Sequence, residues 1–241
     1  MEDIQDMPPA NLRFMGEDEV TFLKNGENLL APVLGRFDMN GTVLDIGCGY
    51  GRLAYALRRA GFRGQYVGLD ILPLQINWLR DNFQGPNYSF VHMDIVNDRY
   101  NPNGKLTMAE LALPALETPP TLVLMLSVFT HLYKEDVLHF LSSVAKVTDS
   151  RTLFYSTWFL LNDHQREMEQ AGASPYPMTH ALPPESRYFN AEDPLHAIGH
   201  DEAAVRAWGR DAGFWPAEVR YGSWCGRTNP DAYQDVLFWR R

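Results

Sequence analysis

Cysteine is scarce in this chain. Two occur in 241 residues, Cys48 and Cys225, far apart in the sequence, so no disulfide framework is indicated. Long apolar runs are missing too. No stretch reaches 18 apolar residues, and the opening Met-Glu-Asp-Ile-Gln-Asp is acidic, without an apolar signal core. That pattern predicts a cytoplasmic protein with no membrane partner. Basic residues are outnumbered, 21 Lys and Arg against 30 Asp and Glu, for a net charge of −9. With no dense basic run, the broad positive footprint of a DNA or RNA binder is absent, and no nucleic-acid partner is expected. Internal repeats and low-complexity tracts are likewise absent. What remains is an ordinary globular balance, 45% apolar and 21% charged. The length suits one large α/β domain with an appended segment.

The most informative stretch is 43–54. Val43, Leu44 and Ile46 form a short apolar run, a buried strand by pattern. Gly47, Gly49 and Gly51 then permit a tight turn, and Leu53, Ala54, Leu57 and Ala60 recur at helical spacing. A strand that passes through a glycine turn into a helix presents backbone N–H groups at the helix start and lets a ligand lie against the main chain. The dinucleotide fingerprint needs Gly-x-Gly-x-x-Gly. Here the spacing is Gly-x-Gly-x-Gly, and Arg52 stands where the third dinucleotide glycine would fall. Asp45, at the carboxyl end of the strand, would repel a diphosphate but suits a ligand carrying an ammonium and a sulfonium. The plain alternative is an ordinary structural turn.

The stretch resembles the first motif of the class I S-adenosylmethionine-dependent methyltransferases. That resemblance implies a Rossmann-like fold, S-adenosylmethionine as cofactor, and roles for residues along 40–158. Asp45, Gly47, Cys48, Gly49 and Gly51 would hold the methionine end. Asp70 ends the second strand about 20 residues past the glycine turn, where an acidic residue accepts hydrogen bonds from a ribose diol. Ile71 would pack on the adenine, and Asp94 with Ile95 would meet the adenine edge. For Asp94 the alternative is a local cap, with Asn97 and Asp98 close by. Ser127, past the end of the fourth strand, would lie beside the reactive methyl. In the N-terminal segment, Arg13 would pair with the methionine carboxylate or Phe14 would cover the ligand. A solvated arginine beside an anchoring aromatic is the competing reading.

The alternation of strands and helices predicts a seven-stranded, mostly parallel Rossmann-like sheet with helices on both faces. The pattern divides a single methyltransferase domain (1–241) into an N-terminal helical cap at 1–38 and a cofactor-binding core at 40–158. A lid inserted after strand five follows at 159–199, then a closing helix and strand pair at 200–241. Pro32 should kink or divide the first helix. The uninterrupted apolar run from Thr121 to Leu126 fits the centre of a parallel sheet. Between 159 and 199 periodicity breaks down amid prolines and histidines, and a loop that long tends to be functional or disordered. Its aromatics argue for a packed lid over the substrate.

Methyl transfer is an in-line displacement that leaves a neutral thioether, so the protein mainly aligns the nucleophile and excludes water. A hydroxyl nucleophile also benefits from a base with a pKa near working pH. His131, at the mouth of strand four, is the candidate general base; its alternative is a histidine bonded to a nearby backbone carbonyl. His164, His180 and Arg227 are lid-side candidates for substrate contact. His196 and His200 are four apart but lack surrounding carboxylates, so no metal site is expected. The chain lacks the Asn/Asp-Pro-Pro-Tyr/Phe sequence of amino-group nucleic-acid methylases and a Pro-Cys pair for cytosine attack. A small-molecule or sugar-type acceptor, methylated on oxygen, is the resulting expectation. A non-catalytic S-adenosylmethionine-binding module, a protein methyltransferase and a nucleotide-dependent oxidoreductase stay open. The sequence is silent on oligomeric state.

Overall fold

The computed structural model describes residues 7–13, 18–83, 85–228, 230 and 232–241. The chain gathers into two compact units, one of residues 1–107 with 117–124, the other of 108–116 with 125–241.

In the first unit, β1 (Thr42–Ile46) is buried along its whole length, as expected of an apolar strand covered on both faces. It pairs in parallel with β2 (Gln65–Asp70) and with β4 (Leu122–Met125), in the registers Val43↔Tyr66 and Val43↔Leu122. Next to β2 runs β3 (Tyr88–His92), also parallel. The crossovers are α2 (Arg52–Arg59), with Leu53, Ala54, Tyr55, Ala56 and Leu57 buried, and α3 (Pro73–Asn82), which starts on a proline. Ahead of them, α1 (Glu19–Leu30) opens with Asp18 accepting from the Thr21 N–H at 2.8 Å, a cap of the type worth about 1 kcal/mol. Pro32 sits in the 3-10 turn Ala31–Val33 that follows α1, so the proline divides the helical segment as its chemistry requires. α1 packs closely on the start of α2: a Cβ at Gly26 would stand 2.5 Å from the Arg52 carbonyl oxygen.

The second unit holds α4 (Lys134–Val147), β5 (Leu153–Trp158), α6 (Glu202–Asp211), β10 (Trp215–Arg220) and β11 (Asp235–Arg240). β11 runs antiparallel between β5 and β10, with Asp235↔Trp158 and Trp215↔Arg240 in register. α6 lies flat on that sheet because Gly209 carries no side chain; a Cβ there would come within 2.3 Å of the Trp239 ring. The seven strands follow the order β10-β11-β5-β4-β1-β2-β3. With six α-helices among the described residues, this is the expected α/β architecture.

The segment after β5 corrects the sequence reading in detail. Where periodicity breaks down there is a second sheet, β6 (Leu160–Leu161), β9 (Ile198–Asp201), β8 (Ser186–Tyr188) and β7 (His180–Leu182), side by side in that order, and a helix α5 (Asp163–Gln170). Strands of two to four residues are too short to display alternation, and α5 is almost wholly polar. The segment nonetheless has its own core of Phe159, Leu161, Met178, Ala197, Trp224 and Cys225.

Candidate functional site

In the first unit the turn after β1 is built on backbone that only glycine adopts readily. Gly47, Gly49 and Gly51 have φ of 80°, 55° and 81°. The N–H groups of Gly47 and Cys48 donate to the Leu69 carbonyl at 2.7 and 3.0 Å, and Gly51 N–H donates to the Cys48 carbonyl at 2.9 Å, tying the turn to β2. A Cβ at Gly51 would meet Leu79 at 2.9 Å, whereas at Gly49 nothing lies closer than Gln75 Oε1 at 3.9 Å. Gly51 is thus a packing position, and Gly49 leaves its side of the backbone open. The Oε1 of that buried Gln75 has no hydrogen-bond partner among the described residues.

Two buried carboxyls flank the turn. Asp45 is 1% exposed, and its Oδ2 accepts from the Tyr66 hydroxyl at 2.6 Å. Burial pushes its carboxyl up to about 7, the Tyr66 bond and the Arg52 charge pulling it down and the Asp70 charge pushing it further up. Asp70 accepts from Gly49 N–H at 2.8 Å through Oδ2 and from Leu72 N–H at 3.0 Å through Oδ1. Burial raises this carboxyl as well, against the backbone bonds that favour its charge. Two acidic groups held out of water at one strand edge favour a cationic ligand, because a positive charge restores what desolvation removed. Burial and both neighbouring aspartates push the Cys48 thiol up, so Cys48 contributes bulk and backbone rather than a thiolate.

The other candidates of this unit divide. Ile71 and Leu72 are half-buried beside Asp70. Asp94 is engaged by the turn that follows it, accepting from Asn101 Nδ2 at 3.3 Å and lying 3.7 Å from Lys105 Nζ. Ile95 is 1% exposed, its N–H already donating to the Met93 carbonyl at 2.7 Å. His92 Nε2 donates to the Ile71 carbonyl, 3.1 Å away, as a strand-packing histidine. Arg13 has its Nε and Nη1 buried with no hydrogen-bond partner among the described residues, an arrangement that calls for an anion. Phe14 lies outside the described residues. A ligand end bearing both ammonium and carboxylate fits this donor set: acids seeking a cation, and a guanidinium seeking an anion.

In the second unit the chain leaves β4 through Ser127, the one non-glycine residue with positive φ (57°) among those described. Its N–H donates to Thr157 Oγ1 at 2.7 Å, Thr157 Oγ1 donates to Gln234 Oε1 at 2.6 Å, and Ser127 Oγ donates to the same oxygen at 3.0 Å. The 3-10 turn Phe129–His131 follows. Phe129 stacks on Trp158 at 4.1 Å, which fixes the turn and hence His131. The His131 Nδ1 is 2.8 Å from the Leu195 carbonyl. A carbonyl only accepts, so Nδ1 carries the proton and Nε2 is the basic nitrogen.

A family model described as a methyltransferase domain matches residues 22–219. The chain belongs to that methyltransferase family. Solved structures of similar fold include magnesium protoporphyrin IX methyltransferase (ChlM) from Synechocystis PCC 6803 with bound S-adenosylhomocysteine. It is 20% identical, with a TM-score of 0.57, the match covering 92% of this chain and 84% of that one. Another is the Burkholderia thailandensis 1,6-didemethyltoxoflavin-N1-methyltransferase with 1,6-didemethyltoxoflavin and S-adenosylhomocysteine bound (16% identity, TM-score 0.55, 92% and 79% covered). A third is the mitomycin 7-O-methyltransferase MmcR (14%, 0.56, 91% and 53%). At these identities the likeness carries the fold alone.

In this methyltransferase each lid-side candidate has partners within the protein. Arg227 is turned inward. Its Nη1 donates to Asp235 Oδ1 at 3.4 Å, its Nη2 to Asn162 Oδ1 at 3.1 Å, and its guanidinium lies over Tyr221. Asp235 is fully buried and also accepts from Leu160 N–H, Gly222 N–H and Trp224 Nε1, so the cluster is a structural network. His164 sits on α5, 3.9 Å from Glu167, and His180 stacks on Tyr188 within the hairpin of β7 and β8. His196 and His200 do not converge: His196 stacks on Tyr176, while His200 is buried and bonded through Nδ1 to Ser186 Oγ at 2.7 Å. Sequence reasoning overlooked Thr157 and Gln234. Their only signal was polarity at strand ends, and it gains meaning once β11 is known to pair with β5.

Proposed function

We propose that this methyltransferase transfers a methyl group from S-adenosylmethionine to an oxygen of a small-molecule acceptor. The carrying observation is the pair of buried, upshifted carboxyls, Asp45 and Asp70, under a glycine turn whose Gly49 side is open. Asp70 receives the ribose hydroxyls on the lone pairs that Gly49 and Leu72 leave unused, with Ile71 against the base and Asp94 at its edge. Asp45 supplies negative charge below the turn, and Arg13 takes the amino-acid carboxylate. When bound, the cofactor supplies a methyl on a cationic sulfur, displaced in line to leave a neutral thioether. Little leaving-group stabilisation is needed, so the work of the protein is alignment and deprotonation.

His131 is the residue we assign to deprotonation. The Leu195 carbonyl holds its tautomer, so Nε2 receives the proton of an acceptor hydroxyl as the oxygen attacks. Ser127 lines the same wall. Oxygen is the reacting atom favoured by this pairing, since a hydroxyl nucleophile must give up its proton and the imidazole Nε2 can take it. The work takes place in one cytoplasmic methyltransferase domain.

Incubation with methyl-labelled S-adenosylmethionine and fractionated small metabolites is expected to give a labelled product that releases labelled methyl iodide when its methyl ether is cleaved with hydriodic acid. His131→Ala is expected to lower turnover by about 100-fold or more while its affinity for S-adenosylhomocysteine stays at the wild-type value. Binding without transfer to any fraction contradicts the enzymatic reading, and collapse of cofactor binding in His131→Ala makes the histidine a packing residue.

A further inference from the structure

In the second unit a path of contacts, joined by two peptide bonds, leads from His131 through aromatic rings not used above and back to Ser127. It starts at His131, whose Nδ1 is held by the Leu195 carbonyl. The next residue, His196, lies parallel to the Tyr176 ring, with centroids 6.2 Å apart and planes 10° off. Tyr176 meets Tyr233 edge to face at 6.3 Å and 74°. Tyr233 precedes Gln234, whose Oε1 bonds back to Ser127, four residues before His131. Three aromatic rings, one amide and one hydroxyl are therefore linked between His131 and Ser127, through these contacts and the peptide bonds 195–196 and 233–234. Tyr233 is 50% exposed, and Tyr176 is backed by Phe159 and Phe189 at 6.2 and 4.9 Å.

Gln234 gives the path its polarity. Thr157 Oγ1 accepts from the Ser127 N–H, so its own proton goes to the oxygen 2.6 Å away. That oxygen also receives the Ser127 hydroxyl. The amide is thereby pinned by its carbonyl end, and its Nε2 finds no acceptor among the described residues. Two N–H donors in a fixed place, next in sequence to the half-exposed Tyr233, describe half of a recognition site. No carboxylate faces it from its own strand, because the adjacent Asp235 is buried and already bonded to four donors.

We propose that the acceptor is a planar aromatic compound carrying a ring hydroxyl and a second, carbonyl-type oxygen. The ring lies on Tyr176, Tyr233 and His196, the hydroxyl meets His131, and the carbonyl oxygen accepts from Gln234 Nε2. Gln234 is a specificity residue and takes no part in the proton transfer. A sugar needs many fixed polar partners, and this wall offers one pinned amide among aromatic faces. The proposal rests on the methyl-transfer reading above and narrows its acceptor.

The test uses the full chain saturated with S-adenosylhomocysteine, titrated with 7-hydroxycoumarin, 2-hydroxyanthraquinone, 2-naphthol and methyl glucoside. The two carbonyl-bearing phenols are expected to bind about tenfold or more tighter than 2-naphthol, which lacks the second oxygen. Methyl glucoside is expected not to bind. Gln234→Glu keeps an oxygen for both hydroxyls and removes the donors. It should abolish the tenfold preference, leave 2-naphthol unchanged and retain S-adenosylhomocysteine binding, which also reports that the variant folds. Tyr176→Leu should weaken all three aromatics together. The proposal is overturned if methyl glucoside outbinds the phenols, if no aromatic binds the loaded protein, or if Gln234→Glu keeps the preference. If S-adenosylhomocysteine itself does not bind, the failure lies with the methyl-transfer reading instead.

Discussion

Asp45 carries a cost that the fold bears for function. Its folded value of about 7 stands above the ordinary carboxylate value of 3.8, so the folded chain holds this proton more tightly than the unfolded chain. Between about pH 4 and 7 the unfolded carboxyl is ionised while the folded one is neutral. Stability therefore falls as pH rises through that window and levels off above it, by at most about 1.4 kcal/mol per pH unit. Asp235, pushed up to about 6 by burial, acts in the same sense, and His200, pushed down to about 4 by burial, acts in the opposite one. Comparing wild type with Asp45→Asn isolates the first term. In melts of the protein without ligand, the variant's advantage in melting temperature is expected to grow from pH 4 to 7 and then hold steady. An advantage independent of pH contradicts the assignment. Asp45 was legible in the sequence as an acid ahead of alternate glycines. Its bond to Tyr66 was not, because that contact depends on the parallel register of β1 and β2.

Elements were legible in proportion to how strongly their residues repeat. β1 through β5 and α4 announce themselves by apolar runs and helical spacing, and Pro32 marks the end of α1 through the one thing proline cannot do. α5 and the four short strands after β5 carry no such signal. Residues distant in sequence hold them: Met178 and Ala197 pack with Trp224 and Cys225. The strand-four exit was legible as the end of an apolar run, but the left-handed Ser127 was not, since its cost of about 1–3 kcal/mol is offset by bonds to Thr157 of β5 and to Gln234 just ahead of β11. Packing at α6 gives a prediction of its own. Gly209→Ala would drive a methyl into Trp239, and the variant is expected to lose about 1–3 kcal/mol of stability in urea unfolding. An unchanged midpoint means that the helix shifts to accommodate the methyl.

For the whole molecule, strand order, the family match over 22–219 and the acid-flanked turn agree on one chemistry. No helix among the described residues is long and apolar enough to cross a membrane. The net charge of −9 gives no general attraction for polyanions. Calorimetric titration of S-adenosylhomocysteine into wild type and Asp70→Asn, with NAD as the contrasting ligand, tests the central claim most directly. The account predicts one site per chain, about tenfold weaker binding in Asp70→Asn from loss of charge-assisted bonds, and no heat with NAD. Equal affinity in the two proteins, or saturable binding of NAD in place of S-adenosylhomocysteine, contradicts it.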